Sequence, residues 1–137
     1  MSVEGRIVSQ IGPGLLALVG VAQGDVSADI EYVASKLRDL RVFADDQGKM
    51  NRSVVDAGGS VLVVSQFTLM GDIRKGRRPA FDAAAAPEAA KALYEELVDQ
   101  LKGFGLPVET GVFQAMMQVE LVNDGPVTIL IDSRRGF

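Results

Sequence analysis

The run Leu15 to Val21 is apolar without alternation. A strand of that kind needs cover on both faces, because no side of it is suited to water. A second run, Val61-Leu62-Val63-Val64, reads as another buried strand. With two helices and six or so strands expected along the chain, mixed α/β layers are the architecture suggested.

The helices that could supply one layer are legible. Asp25 to Arg41 places Ile30, Val33, Leu37 and Leu40 on one face. Asp25 or Ser27 can cap its start, and the early acids and late bases suit the helix dipole. Pro87 to Lys102 repeats the pattern with Ala90, Leu93, Leu97 and Leu101; Pro87 fits the first turn, and Gly103 can end it. Gly5 to Val21 reads as a β-hairpin turning at Gly12-Pro13-Gly14. Turns are expected at Asp45 to Lys49 and Asp56 to Gly59. Three further strands are expected at Pro107 to Val112, Met117 to Val122 and Val127 to Asp132. At 137 residues, 1–137 is expected to form one domain.

What is missing limits the chemistry. The chain has neither Cys nor His. A thiol nucleophile, a disulfide framework, a Cys/His zinc site and a Ser-His pair are therefore excluded. An enzyme built on this chain must use carboxylates, hydroxyls, Lys, backbone amides, a carboxylate-held metal or groups brought by its substrate. No metal-binding spacing, phosphate-binding glycine loop or dinucleotide fingerprint is present, so no metal or cofactor is expected. A net charge of −4 argues against a general nucleic-acid coat, though one local basic patch could still hold an RNA end. No apolar run reaches membrane-spanning length, the first residues are unlike a secretory signal, and a cytoplasmic location is expected.

Chemistry-bearing residues cluster at the end of the Val61 strand. Ser65-Gln66-Phe67-Thr68 could offer backbone N–H groups and the Gln66 amide to a carbonyl oxygen that becomes negative during hydrolysis. An ordinary strand end explains the same four residues when they are taken alone. Thr68 lacks a base to activate it as a nucleophile. Arg74-Lys75-Gly76-Arg77-Arg78 places four cations in five residues, suited to phosphates or simply to a solvated turn. Asn123-Asp124-Gly125-Pro126-Val127-Thr128 reads as a tight turn whose Gly125 leaves its backbone bare for close ligand approach. The adjacent acids Asp45 and Asp46, and Glu95 and Glu96, suit solvation.

Together, Ser-Gln-Phe-Thr-Leu at 65–69 and Asn-Asp-Gly-Pro-Val-Thr at 123–128 resemble the two signature motifs of the D-aminoacyl-tRNA deacylases. Arg-Lys-Gly-Arg-Arg-Pro stands after the first of them. Ile11 to Leu16, Leu40 to Phe43, Gly48 to Asn51 and Pro107 to Gly111 extend the likeness over nearly the whole chain. The resemblance implies a barrel-like three-layer α/β/β arrangement of mixed sheets with two main helices. It implies hydrolysis of the ester joining a D-amino acid, or glycine, to the terminal ribose of tRNA, by a homodimer with cross-subunit sites. Ser65, Gln66, Phe67 and Thr68 would form the pocket wall and oxyanion donors. Gly125 and Pro126 would form a cis peptide entering the partner's site and rejecting L side chains, with Asn123, Val127 and Thr128 around it. Arg74, Lys75, Arg77 and Arg78 would meet the RNA backbone, and the terminal ribose 2′-hydroxyl would assist scission.

Two departures from the family pattern stand out. Relatives carry a further strand before the segment matching Ser2-Val3, so an N-terminal edge strand is expected to be missing here. They usually have glycine where Gln114 stands and aspartate where Met116 stands. A tRNA-acceptor binding module without turnover is the alternative reading, and a purely structural dimer a third.

Overall fold

The structure is a computed structural model and describes residues 1–136. Its centre is a three-stranded parallel sheet of β3 (Gly14–Val19), β6 (Ser60–Ser65) and β7 (Val108–Thr110), with β6 in the middle. Parallel neighbours need long crossovers, and two helices supply them. Helix α1 (Ser27–Asp39) lies between β3 and β6 in the chain, and α2 (Pro87–Gly103) between β6 and β7.

The unalternating Val61 run is explained by cover on both sides. Val61 and Val63 join a core with Ile30, Ala34 and Leu37 of α1 and Tyr94, Leu97 and Leu101 of α2. Leu62 and Val64 point the other way, into a smaller cluster with Met1, Leu16, Met117 and Val119. Burying each such side chain contributes roughly 1.5–3 kcal/mol, so β6 is the energetic spine of the fold. Tyr94 pins α2 to that spine: its hydroxyl donates to the Val63 carbonyl at 2.8 Å.

The predicted hairpin over Gly5 to Val21 does not form. β1 (Ser2–Val3) and β2 (Arg6–Ile7) pair antiparallel across Glu4-Gly5, whose φ angles of 51° and 78° make the reversed turn that a two-residue hairpin needs. β3 instead runs parallel to β6, from Gly14↔Ser60 to Val19↔Ser65. Gly12-Pro13-Gly14 therefore starts a strand rather than reversing one. Asp45 to Lys49 does turn as expected, joining β4 (Phe43–Ala44) to β5 (Met50–Arg52), with Asp45 accepting from the Gln47 and Lys49 amides.

The helix ends differ in detail. Neither Asp25 nor Ser27 caps α1: Asp25 accepts from the Ala22 amide, and Ser27 donates to Glu96. Asp29 does the capping, accepting the Val26 amide at 2.8 Å. Gly103 is the last helical residue of α2, and Gly105, at φ 85°, makes the exit.

The strands expected at Met117 to Val122 and Val127 to Asp132 are not formed, and among the described residues no barrel closes. Residues 111 to 120 do alternate, with Phe113, Met117 and Val119 turned inward, but pairing is limited to one bridge between Gln118 and Ser2. A strand needs a ladder partner, and this chain offers none there. The result is a run of uncovered apolar side chains, with Met116 92%, Val122 90% and Leu130 72% exposed. β3 lies at an edge of the central sheet.

Gln114 has a φ of 63°, in the left-handed region, and its side chain is exposed. That conformation costs an L residue about 1–2 kcal/mol, which explains why glycine suits the position. Part of the gain from glycine is offset by its looser unfolded chain. Gln114→Gly is therefore expected to stabilise the protein by about 0.5–1 kcal/mol in urea unfolding; a loss of stability would contradict this.

Candidate active site

β6 delivers Ser65 to the edge of the core. The Gln66 amide donates to the Val19 carbonyl at 2.7 Å, continuing the pairing one residue past the strand. The chain then tightens into a short 3-10 turn, Phe67–Met70. Gly20 makes room for it: a Cβ there would meet the Met70 Cε at 2.9 Å and the Leu69 Cβ at 3.1 Å. The Leu69 amide closes on the Gln66 carbonyl, while the Phe67 and Thr68 amides find no acceptor among the described residues. Those two donors open the turn, where no intrahelical partner exists for them. The Gln66 side chain donates to Thr68 Oγ1. Thr68 thus holds the Gln66 amide, and one of its two N–H hydrogens remains for another acceptor.

Phe67 and Thr68 are exposed. Neither of the two cavities found includes any of Ser65 to Thr68. One, about 370 Å³, lies between α2 and the end of β7 beside Tyr94 and Phe113; the other, about 400 Å³, lies beside Met1 and Gln118. Phe67 and Thr68 thus present hydrogen-bond donors on an exposed surface of the chain.

The basic loop follows directly. Asp72 and Ala80 exchange two backbone hydrogen bonds, of 2.7 and 2.9 Å, that close its neck. Within it, Arg74 forms a two-pronged pair with Asp72 at 2.9 and 2.7 Å. Its hydrogen bonds hold the Asp72 carboxyl well down, at about 2. A depressed carboxyl contributes above its ordinary range and stops contributing as pH falls through the folded value, so the clasp stays closed until about pH 2. Arg74 is thus paired within the loop while its side chain stays exposed. Lys75, Arg77 and Arg78 are exposed and have no ion-pair partner among the described residues.

The second motif is a braced, bare turn. The Asn123 side chain accepts from the Val127 amide at 3.1 Å and donates to Thr128 Oγ1 at 2.9 Å. Between them the Gly125–Pro126 bond is cis, and Gly125 has a φ of 144°. All of 123 to 128 except the half-buried Val127 is exposed. No hydrogen bond or backbone bridge joins this turn to Ser65–Thr68 within the described residues of one chain.

Sequence reasoning missed Phe81. Its ring lies 5.1 Å from that of Phe67, tilted by 60°. The only sequence signal was an aromatic residue just beyond a basic loop. Gly20 and Gly71, which make room for the turn and for the Phe81 ring, were missed as well.

The fold thus presents to solvent a strand-end turn with two amide donors unpaired among the described residues, a bordering basic loop and a side-chain-free turn. The chain belongs to the D-Tyr-tRNA(Tyr) deacylase family, whose model matches residues 1–132. It is 63% identical, over its whole length and 92% of the relative's, to a D-aminoacyl-tRNA deacylase of Koribacter versatilis. A D-aminoacyl-tRNA deacylase of Desulfitobacterium hafniense is 58% identical over the same shares. Among solved structures, the c-Myc DNA Unwinding Element Binding Protein superposes with a TM-score of 0.87 at 39% identity, covering 93% of this chain and 87% of its own.

Proposed function

We propose that this chain, acting as a single domain over residues 1–137, hydrolyses the ester between a D-amino acid and the 3′-terminal ribose of tRNA. Mischarged glycine, which has no side chain to exclude, is a second substrate. The reaction is a chirality check on translation and belongs where aminoacyl-tRNA is made and used, in the cytoplasm. The observation that carries the reading is the division of labour between two exposed motifs: free amide donors at Phe67 and Thr68, and a braced turn without a side chain at Gly125.

Two copies complete the site. The donors of one protomer face the Gly125–Pro126 turn of its partner, and the uncovered apolar side chains around Met116, Val122 and Leu130 supply an interface. The turn's carbonyls hold the α-amino group of the substrate. An L side chain would then be driven into the turn's backbone, whereas a D side chain points outward, so selection works by penalising the wrong hand.

Water adds to the ester carbonyl carbon, and the oxygen that becomes negative accepts from the Phe67 amide and the remaining Gln66 hydrogen. The bond between the acyl carbon and O3′ breaks, the 3′-oxygen takes the proton given up by the attacking water, and the free D-amino acid leaves. The ribose 2′-hydroxyl assists, so the absence of His and Cys is no obstacle. Ser65 lines the wall and Thr68 orients Gln66. Lys75, Arg77 and Arg78 meet the RNA backbone; Arg74 shapes the loop.

The alternative reading is a module that binds a tRNA acceptor end without turnover; the protein similar at 39% identity is itself named for binding a DNA unwinding element. Incubation with D- and L-tyrosyl-tRNA, following free tyrosine and bound tRNA together, separates the two. Release from the D-ester alone is expected. Retention of both esters on bound tRNA would establish the binding module instead.

A further inference from the structure

We propose that Phe81 is a positioning residue for the hydrolytic turn, acting through Phe67; the inference rests on the function proposed above. Phe81 is fixed from both sides in sequence. On one side, Ala80 closes the neck of the basic loop with Asp72. On the other, Ala83 and Ala85 are bound to the segment after β3: the Gln23 amide donates to the Ala83 carbonyl at 2.8 Å, and the Ala85 amide to the Val21 carbonyl at 2.9 Å. That segment is itself anchored, since Arg134 donates to the Gln23 carbonyl at 2.7 Å and to Asp25 at 3.0 Å.

A ring held between two backbone anchors is a fixed surface, and Phe67 rests on it at 5.1 Å. Phe67 is 59% exposed, with little else to set its direction. Gly71 keeps the approach open, since a Cβ there would stand 3.2 Å from the Phe81 ring and 3.0 Å from the Thr68 carbonyl. The Phe67 ring and the amide proposed as oxyanion donor share one Cα. Loss of the supporting ring lets both turn away from the ester carbonyl. A donor that matters most in the transition state affects turnover rather than binding.

The test uses the full chain, D-tyrosyl-tRNA, and kcat and KM measured separately. Phe81→Leu is expected to lower kcat about tenfold with KM unchanged, because a small misplacement of a donor is costly. Phe81→Tyr, which keeps the ring, should restore most of kcat, and Phe81→Met replaces the leucine variant if that one fails to fold. Since Phe81 acts through Phe67, Phe67→Leu/Phe81→Leu should be no slower than Phe67→Leu alone. If Phe67→Leu slows the enzyme while Phe81→Leu does not, or if the two losses multiply, the positioning role is overturned and the site stands. If Phe67→Leu leaves kcat intact, the ring does not place the donor and the role of Phe81 falls, while the site reading, which uses the Phe67 backbone amide, is tested separately by release from D-tyrosyl-tRNA.

Discussion

Gly125→Ala is expected to lower kcat/KM for D-tyrosyl-tRNA by about 100-fold while leaving the protein folded, since an error near 1 Å in a substrate-positioning group costs that much. The reason is local. The Gly125 φ of 144° is one that L side chains rarely adopt, and the added Cβ would stand 3.0 Å from Val127 Cγ2 and 3.1 Å from the Val127 nitrogen. The turn must rotate to relieve this. Its rotation is resisted by the two hydrogen bonds of the Asn123 side chain and by the half-buried Val127, while the rest of 123 to 128 is exposed. The backbone strain costs on the order of 1–3 kcal/mol, borne at an exposed turn outside the core, and the turn proposed to face the substrate's α-carbon moves. A folded Gly125→Ala protein with unaltered turnover would remove the turn from the site.

Gly14→Ala should act on the fold instead. A Cβ at Gly14 would lie 1.9 Å from the Ser60 carbonyl oxygen and 2.8 Å from the Ser60 nitrogen and carbonyl carbon. These are backbone atoms of the neighbouring strand and cannot swing aside. Gly59 closes the same crossing, with its own added Cβ 3.2 Å from the Gly14 Cα. The start of β3 must separate from β6, weakening the first pairing of the sheet that carries the core. The expected loss is about 3 kcal/mol or more, at the upper end of overpacking effects. Urea unfolding measures it, and a loss under about 1 kcal/mol would show that the two strands approach less closely than described.

The same residue shows where local pattern runs out. Gly12-Pro13-Gly14 has the composition of a reverse turn, and nothing nearby reveals that Gly14 is needed for contact with Ser60, far along the chain. Parallel pairing is set by such distant partners, so β3 was legible as a strand but its neighbour was not. The Val61 run was legible for the opposite reason: unbroken apolar character reports two-sided burial whatever the partners are. Both helices were visible through their spacing, and only their caps shifted by a residue or two. Val127 to Asp132 has the side chains of a strand, yet pattern cannot create the ladder that one chain lacks.

In the site, the two motifs were legible because each concentrates unusual residues. The matching of Arg74 by Asp72 was not, since a charge two residues away looks like any other surface acid. Phe81 was hidden because its role depends on a ring-to-ring distance and on anchors at Gln23 and Arg134 that no local window contains.

The most direct test is complementation between two impaired proteins, Gly125→Ala through its displaced turn and Phe67→Ala through loss of the ring that holds the amide donor. Phe67→Ala and Gly125→Ala chains are unfolded together, refolded as a mixture and assayed on D-tyrosyl-tRNA. If each site joins the Phe67 turn of one chain to the Gly125 turn of the other, half of the randomly formed dimers are mixed and each of those carries one intact site, restoring about a quarter of the native rate. If both motifs serve the same chain, every site keeps a lesion, and the mixture stays as inactive as its parts.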